Sequence, residues 1–305
     1  MRETADSGQA AGETARFVEV EGLAIHYRQW GADDAPPLLL IHGTLAWAET
    51  WRDIAGPLGE TGYRVLAPDL PPFGYSQRPA DGDYSRGSQA RLILGFADAL
   101  GLGRFALAGH SFGGGATVEA AMAAPERIPA LILLDVALAL DAETGSVLPR
   151  LLAFAPLRNS LTAATFANPW LTGMGLRDFI ADDALATPER VALYRRPLAV
   201  RGTTPAIGDW LLTGLFADHA GALSRDKANY RALAIPTLVV WGREDTVTPL
   251  PQGEQLAALL PDAKLVVLDG VNHIPHLESP QAVVREMLGI LTRAGEPAAG
   301  GLIGR

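Results

Sequence analysis

Short runs of apolar residues, each bounded by turn residues, recur along this chain and predict the strands of a sheet. Most of the runs are apolar on both faces, which is typical of buried parallel strands. The first run differs because its apolar positions alternate around Ile25 and Tyr27, so we expect it to form an antiparallel edge pair with Phe17–Val20. The runs are Leu23–Trp30, Pro37–His42, Tyr63–Pro68, Arg104–Gly109, Ala130–Asp135, Thr237–Gly242 and Lys264–Asp269.

Segments with apolar residues at helical spacing lie between the later runs. In Ser88–Leu100, the residues Leu92, Ile93 and Phe96 recur at the spacing of one helix face. The other predicted helices are Gly113–Ala124, Gln252–Leu260 and Gln281–Leu291. Strands that alternate with helices predict an α/β fold, with a mostly parallel twisted sheet flanked by helices.

The alternation of strands and helices stops between about Ala137 and Tyr230 and resumes at Ile235. This stretch has helical patches with Pro and Gly breaks, and it shows no convincing strand pattern. We therefore expect an α/β core formed by residues 1–136 and 231–305, and a helical insertion formed by residues 137–230.

Composition narrows the classes of protein to consider. The net charge of −9 over 305 residues disfavours binding to nucleic acid or to an anionic membrane. The absence of cysteine excludes disulfides, thiolate metal sites and a cysteine nucleophile. No apolar run is long enough to span a bilayer, and residues 1–16 lack the apolar segment of a secretory signal, so we expect a cytoplasmic protein. Nothing in the pattern specifies an oligomeric state.

The segment Gly109-His110-Ser111-Phe112-Gly113 fits the pattern G-x-S-x-G, and its position between a predicted strand and a predicted helix makes the match informative. A serine on such a sharp turn adopts a strained backbone conformation and needs small neighbours, which the two glycines provide. The N-terminus of the following helix contributes free N–H groups beside the hydroxyl. We therefore predict that Ser111 is a covalent nucleophile.

A nucleophilic serine requires a base and an acid that orients the base. His273 is our candidate base, because its loop follows the last predicted strand and so lies at the same edge of the sheet as Ser111. His276 in the same loop is the alternative. Asp245 follows the strand Thr237–Gly242 and is our candidate acid, whereas Asp135, which ends the preceding strand, is the alternative.

The chain order Ser111, Asp245, His273, each near a strand end, resembles that of the α/β-hydrolase superfamily, in particular serine esterases and lipases with a helical cap. Three further segments resemble family motifs, and together the resemblance covers nearly the whole chain. They are His42-Gly43-Thr44, the turn Asp69–Ser76, in which Pro72 replaces the usual glycine, and the histidine loop Gly270–Pro280, whose match selects His273 over His276.

The resemblance implies roles for further residues. The backbone N–H groups of Thr44 and Phe112 would form the oxyanion hole. Residues 137–230 correspond in place to the cap, which would set the choice of substrate. The side chains expected to line the substrate pocket are Leu45, Phe112, Trp170, Trp210 and Phe216.

Ester hydrolysis through an acyl-enzyme is the function that we predict first, on a carboxylic ester of small to medium apolar size. A serine at position 111 argues against dehalogenases and epoxide hydrolases, which carry aspartate there. Hydrolysis of a C–C bond in a diketone-type substrate is an alternative, although those enzymes usually have tryptophan after the histidine and this chain has Ile274. Perhydrolase activity and a non-enzymatic small-molecule receptor are the remaining alternatives.

No cofactor or metal is expected. The histidines and acidic residues show no metal-ligand spacing. The segment Gly101–Ala106 matches the dinucleotide pattern G-x-G-x-x-A, but it precedes a strand rather than following one, so its glycines cannot place phosphate on a helix N-terminus.

Overall fold

Eight strands form one sheet in the computed structural model, which describes residues 14–138, 140, 152–217, 219 and 221–295. Numbered in chain order, they are β1 (Thr14–Val20), β2 (Leu23–Trp30), β3 (Pro37–Ile41), β4 (Arg64–Pro68), β5 (Ala106–His110), β6 (Leu131–Leu134), β7 (Thr237–Gly242) and β8 (Ala263–Leu268).

The strands lie in the order β1-β2-β4-β3-β5-β6-β7-β8. Strand β2 pairs antiparallel with both β1 and β4, and every later pairing is parallel. The predicted antiparallel edge pair is therefore present, and the α/β fold class is confirmed. Because β5, β6, β7 and β8 are parallel neighbours, their carboxyl ends meet at one edge of the sheet.

Helices flank this sheet and connect its strands. In chain order they are α1 (Arg52–Glu60), α2 (Arg86–Ala99), α3 (Ser111–Ala123), α4 (Ala155–Ala164), α5 (Thr172–Asp178), α6 (Pro188–Arg195), α7 (Thr203–Trp210), α8 (Lys227–Ala232), α9 (Leu250–Leu259), α10 (Pro275–Glu278) and α11 (Pro280–Arg293). Short 3-10 turns occupy Ala48–Trp51, Pro125–Arg127, Asp183–Leu185, Arg196–Ala199 and Leu223–Arg225, and Leu211–Leu215 is a π-helical turn.

Two apolar layers cover the two faces of the sheet. On one face α2, α3 and α9 contribute buried side chains that include Phe96, Val118 and Leu256. On the other face α1 and α11 contribute buried side chains that include Ile54 and Met287. Coverage of both faces explains why the central strands read as continuous apolar runs.

The elements agree with the sequence pattern except in one region. Strands β2 and β7 have the predicted bounds, and the other predicted elements shift by a few residues. Helix α1 was not predicted, because Gly56, Pro57 and Gly59 lower its helix propensity. Burial of Ile54 and Leu58 against the sheet stabilises this helix despite those residues.

Every regular element described between β6 and β7 is helical, from α4 to α8. Residues 139, 141–151, 218 and 220, which fall within the predicted insertion, lie outside the described residues, as do 1–13 and 296–305 of the chain ends. The division into a core and a helical cap stays a prediction.

Two buried side chains of core helices hold both ends of this helical segment. Arg86 of α2 donates hydrogen bonds to the carbonyl oxygen of Leu138 (2.6 Å) and to Oγ of Ser224 (3.4 Å). The Glu119 carboxylate of α3 accepts the backbone N–H groups of Leu223 and Ser224, both at 2.8 Å. The segment is therefore anchored to the same helix that begins at Ser111.

None of the helices described in the structure is both long enough and apolar enough to cross a membrane.

Replacing Glu119 by Gln should lower the free energy of unfolding by about 1–3 kcal/mol, because the amide cannot accept both N–H groups and leaves a buried donor unpaired. Urea denaturation would measure the change. The variant Glu126→Gln, on an exposed acid in the turn after the same helix, is the matched control and should change stability by less than about 0.5 kcal/mol. Equal stabilities of the two variants would contradict the anchoring role.

Candidate active site

Ser111 stands on a sharp turn between β5 and α3, with its backbone in the left-handed region at φ 51°. Two close approaches explain the flanking glycines. A Cβ on Gly109 would lie 2.2 Å from Oγ1 of Thr117, and a Cβ on Gly113 would lie 2.1 Å from the carbonyl oxygen of His42. The strained turn is thus possible only with glycine at both positions, as the G-x-S-x-G pattern predicts.

His273 reaches Ser111 from the loop between β8 and α10. Its Nε2 lies 2.8 Å from Oγ of Ser111, and its Nδ1 lies 2.8 Å from Oδ2 of Asp245. The backbone N–H of His273 donates to the carbonyl oxygen of Phe179, whose ring lies 5.5 Å from the imidazole. The predicted base therefore lies within hydrogen-bond reach of both predicted partners.

Asp245 follows β7 and is held by the loop that it begins. Its Oδ1 accepts the N–H groups of Val247 and Thr248, and its Oδ2 accepts the Thr248 hydroxyl at 2.7 Å. Burial disfavours the charged carboxylate, but the hydrogen bond and charge of His273, together with the neighbouring Asp135 and Thr248, lower its pKa to about 2. Asp245 is therefore ionised at neutral pH and can stabilise an imidazolium.

Asp135, the alternative acid, lies behind Asp245 rather than on the histidine. It is fully buried, has φ 43°, and accepts the backbone N–H of Gly242 at 2.9 Å through Oδ1. Burial and the neighbouring Asp245 raise the pKa of Asp135 well above its ordinary value. Asp245, the acid that the sequence favours, accepts the hydrogen bond from Nδ1 of His273.

The predicted oxyanion donors lie on two segments that converge at Ser111. Phe112 is in the first turn of α3, where backbone N–H groups have no intrahelical acceptor. A Cβ on Gly43 would lie 2.9 Å from Cβ of Ser111, so the loop that carries Thr44 passes close to the nucleophile. The assignment of the Thr44 and Phe112 N–H groups stays a prediction.

A buried network fixes the loop that carries Thr44. His42 donates from Nδ1 to the carbonyl oxygen of Gly43 and accepts the N–H of Leu70 at Nε2, both at 2.9 Å. Asp69 accepts the N–H of Ala48 at 2.7 Å. Burial opposes ionisation of Asp69, but His26 and the other hydrogen bonds lower its pKa. The turn motifs at His42 and Asp69 therefore support the geometry of the loop without contacting the reacting atoms.

An apolar cluster formed by Leu45, Phe73, Phe112 and Trp210 lies next to Ser111. The Trp210 ring lies 5.0 Å from Phe112 and 5.1 Å from Phe73. Gly214 packs against it so closely that a Cβ there would meet both Trp210 and Phe112 within 3.0 Å. Three of the predicted pocket side chains are thus brought together beside Ser111, and their contact with substrate stays a prediction.

Trp170, another predicted pocket residue, lies on the surface, and its contact with substrate stays a prediction. Its side chain is 84% exposed and lines a surface groove with Arg195 and Leu198, and it is not part of the apolar cluster of Phe73 and Trp210. The turn in which Asn168 accepts the Trp170 N–H keeps this residue in a loop between α4 and α5. Phe216, which follows the π-helical turn, is 36% exposed, and its place in the pocket stays a prediction.

Sequence reasoning missed several residues around the triad, by which we mean Ser111, His273 and Asp245. Phe179 follows α5 and contacts His273, whereas Gly214 of the π-helical turn packs on Phe112, and no local pattern indicates either contact. Thr248 could have been found, because a threonine three residues after an aspartate often forms a local side-chain hydrogen bond.

Asp135, Asp245 and His273 are also the described residues whose spacing would suit a metal ion, with ligand atoms within 4.8 Å of one another. Hydrogen bonds already explain why these side chains are close together, because Nδ1 of His273 and the Thr248 hydroxyl both donate to Asp245. A metal there would displace the contact that orients the histidine. The expectation that the protein uses no cofactor or metal stays a prediction.

Two further histidines are buried beneath the triad. His110 donates from Nε2 to the carbonyl oxygen of His273 at 2.7 Å, and burial together with the charge of His273 lowers its pKa to about 3. The His276 ring stacks 4.2 Å from Trp51 and is almost fully buried, which lowers its pKa well below the ordinary value. Both rings are therefore neutral in the folded protein at neutral pH.

Acid should destabilise the protein through these histidines. A folded-state pKa below the unfolded value means that their contribution to stability is present above about pH 6.5 and is lost as the pH falls. Replacing His276 by Phe keeps an aromatic ring on Trp51 but removes one titrating group. The free energy of unfolding should then fall less steeply below about pH 6.5, by up to about 1.4 kcal/mol per pH unit. Urea denaturation near neutral and acidic pH measures this, and identical pH dependences for both proteins would contradict it.

Comparison with known proteins places this geometry in a family. The α/β hydrolase fold family matches residues 36–280. The 2-hydroxymuconate semialdehyde hydrolase of Pseudomonas putida is 32% identical over 94% of this chain and 97% of its own length. Among solved structures, a meta-cleavage product hydrolase from Pseudomonas fluorescens IP01 is 25% identical, with a TM-score of 0.74, over 92% of this chain and 98% of its own.

A membrane phospholipase A, described as a bacterial virulence factor, is 28% identical, with a TM-score of 0.74, over 93% of this chain and 87% of its own. The fold, the chain order of the triad and these matches agree with one another. The chain therefore belongs to the α/β-hydrolase family and is a hydrolase.

Proposed function

We propose that this protein hydrolyses a carbon–carbon bond next to a carbonyl group, in a substrate of the class named for 2-hydroxymuconate semialdehyde hydrolase. The observation that carries the proposal is the 32% identity with that enzyme over almost the whole of both chains. The similarity to the meta-cleavage product hydrolase supports it. Ester hydrolysis, which we predicted first from the sequence, has less support than the C–C alternative. Its only basis in the sequence is the general resemblance to the α/β-hydrolase superfamily.

The first step is an attack by Ser111 on the substrate carbonyl. His273 Nε2, 2.8 Å from the hydroxyl, takes the proton as the oxygen–carbon bond forms. Asp245 holds the ring and stabilises its charged form. The negative charge moves to the carbonyl oxygen, where the N–H groups of Thr44 and Phe112 would stabilise it.

Collapse of this intermediate breaks the bond to the leaving group. A carbon leaving group departs only if its electron pair is delocalised, so the substrate must allow it to leave as an enolate. The His273 imidazolium donates its proton to that enolate. Water, deprotonated by His273, then releases the acyl group from Ser111 as a carboxylic acid. The same three residues, Ser111, His273 and Asp245, would also catalyse ester cleavage, because the two reactions differ only in the leaving group.

Ester hydrolysis is the second candidate function, and one observation favours it. Ile274, where C–C hydrolases usually carry tryptophan, is buried in an apolar cluster with Leu176, Ile180 and Leu277. Isoleucine in place of that tryptophan, together with the apolar cluster beside Ser111, favours the hydrocarbon chain of an ester. The similarity to a phospholipase A agrees with this second candidate.

The two candidates differ in their expected ratio of kcat/KM values. For C–C hydrolysis, the protein should turn over 2-hydroxymuconate semialdehyde or its phenyl ketone analogue with a higher kcat/KM than p-nitrophenyl esters of any acyl length. Loss of the dienol absorbance and release of p-nitrophenol measure the two rates in parallel. A higher kcat/KM on the esters, with no turnover of the dienols, would overturn the proposal in favour of ester hydrolysis.

Both candidates require the triad, which substitutions test directly. Replacing Ser111 by Ala should abolish turnover of whichever substrate class is active, and Asp245→Asn should lower kcat by up to about 10⁴-fold, because the amide favours the wrong histidine tautomer. Ser160→Ala, on an exposed serine of α4, is the control and should leave activity unchanged. Full activity of Ser111→Ala would exclude the covalent mechanism.

A further inference from the structure

Asp135 is a fully buried carboxyl group that the triad does not use directly. The backbone at this position is left-handed, at φ 43°, which is an uncommon conformation for an aspartate at the end of a strand. Its Oδ1 accepts the N–H of Gly242 in the neighbouring strand β7. The strained backbone and this hydrogen bond fix the carboxyl group at the edge of the sheet where Asp245 follows β7.

The second oxygen of Asp135 lacks a conventional donor. Its Oδ2 is buried and accepts no N–H or O–H group from the parts of the chain that the structure describes. An ionised carboxylate in that position would be costly, because nothing compensates the loss of water. A protonated carboxyl group at the same place becomes a donor and needs an acceptor nearby.

Asp245 is that acceptor. Oxygen atoms of Asp135 and Asp245 and a ring nitrogen of His273 lie within 4.8 Å of one another. The Thr248 hydroxyl lies 2.7 Å from Oδ2 of Asp245 and 3.2 Å from the backbone oxygen of Asp135. Its single proton can turn toward either acceptor, which leaves room on Asp245 for a proton from Asp135.

We propose that Asp135 is a positioning residue, which stays protonated and donates a hydrogen bond to the Asp245 carboxylate that orients His273. The inference rests on the proposed triad and holds for either substrate class. Asp135 then acts through Asp245 and never contacts the substrate. Its proton keeps the buried pair at one negative charge, which matches the single positive charge that His273 acquires in the reaction.

The charges around Asp135 favour this state from each loop packed against it. Asp245 follows β7, and Glu278 lies on α10; both are acidic and add to burial in raising the pKa of Asp135. His273, on the histidine loop, is the neighbouring side chain that can carry a positive charge, and it is already hydrogen-bonded to Asp245. The carboxyl group of Asp135 therefore faces two acids and no unpaired cation among the groups that influence it.

The experiment compares Asp135→Asn with Asp135→Ala. The amide of asparagine keeps an acceptor for Gly242 and a donor for Asp245, so Asp135→Asn should retain activity near the wild-type level at neutral pH. Alanine removes the donor, and the resulting misplacement of Asp245 should lower kcat by up to about 10²-fold with little change in KM. The assay uses a p-nitrophenyl ester, or a dienol substrate if the protein turns over only dienols. The rate at which a fluorophosphonate labels Ser111 is a second measurement, which requires no substrate.

The pH profile of kcat separates positioning from a structural role. In the wild type, alkaline pH removes the Asp135 proton and places a second negative charge beside Asp245, so activity should fall there. Asparagine cannot ionise, so Asp135→Asn should keep its activity on the alkaline side. The acidic side, where Asp135 carries its proton in the wild type, should be the same in both proteins and serves as an internal control.

Thermal stability adds a measurement that does not depend on turnover. A carboxyl group whose folded-state pKa is raised contributes stability below its unfolded pKa, and that contribution is lost as the pH rises. Asp135→Asn should therefore raise the melting temperature, and the gain should increase with pH. The matched control is Asp69→Asn, which should lower the melting temperature because Asp69 is a buried carboxylate that accepts N–H groups of Ala48 and Tyr75.

Three results would overturn the proposal. Asp135→Asn as inactive as Asp245→Asn would show that Asp135 acts as a carboxylate. Alkaline limbs that coincide in Asp135→Asn and the wild type, or an Asp135→Ala variant with unchanged kcat, would show that the proton has no role. If Asp135→Ala does not fold, the pH profile of Asp135→Asn still tests the proposal. Failure on dienol substrates, by contrast, bears only on the proposed function.

Discussion

Parallel pairing of β5, β6, β7 and β8 is the constraint on which the site depends. Each of these strands ends at the same edge of the sheet, and each is followed by one member of the buried group formed by Ser111, Asp135, Asp245 and His273. Hydrogen bonds between neighbouring strands fix the spacing of these ends. Residues far apart in the chain therefore meet at 2.8 Å because the sheet aligns the points from which their loops start.

The site is built at a cost to stability, and the surrounding network offsets that cost. Ser111 and Asp135 both adopt left-handed backbone conformations, which cost about 1–3 kcal/mol each. Two carboxyl groups and several histidines are buried with them. The burial keeps water from the hydrogen bonds between Asp245 and His273, where electrostatic interactions are stronger than in water. The same burial keeps His110 and His276 neutral and so couples the site to pH.

The apolar side of the site is contributed by the helical segment between β6 and β7. Trp210 and Gly214 pack on Phe112, which follows Ser111, and Phe179 lies beside the ring of His273. Arg86 and Glu119 bond both ends of that segment to helices of the sheet layer. The apolar side chains beside Ser111 therefore come from two parts of the chain, whereas Ser111, Asp245 and His273 all follow strands that end at one edge of the sheet.

The sequence by itself determined the fold class and predicted the chemistry-bearing residues, because short apolar runs, turn glycines and the motif around Ser111 are local patterns. Helix α1 escaped those patterns, since its stability comes from packing rather than from propensity. The tertiary structure decided that Asp245, which the sequence favoured, rather than Asp135 contacts His273, because both acids follow neighbouring parallel strands and only packing sets which carboxylate reaches the imidazole. It likewise placed Trp210 in the apolar cluster and Trp170 on the surface, since burial of an aromatic residue depends on which helix packs over it.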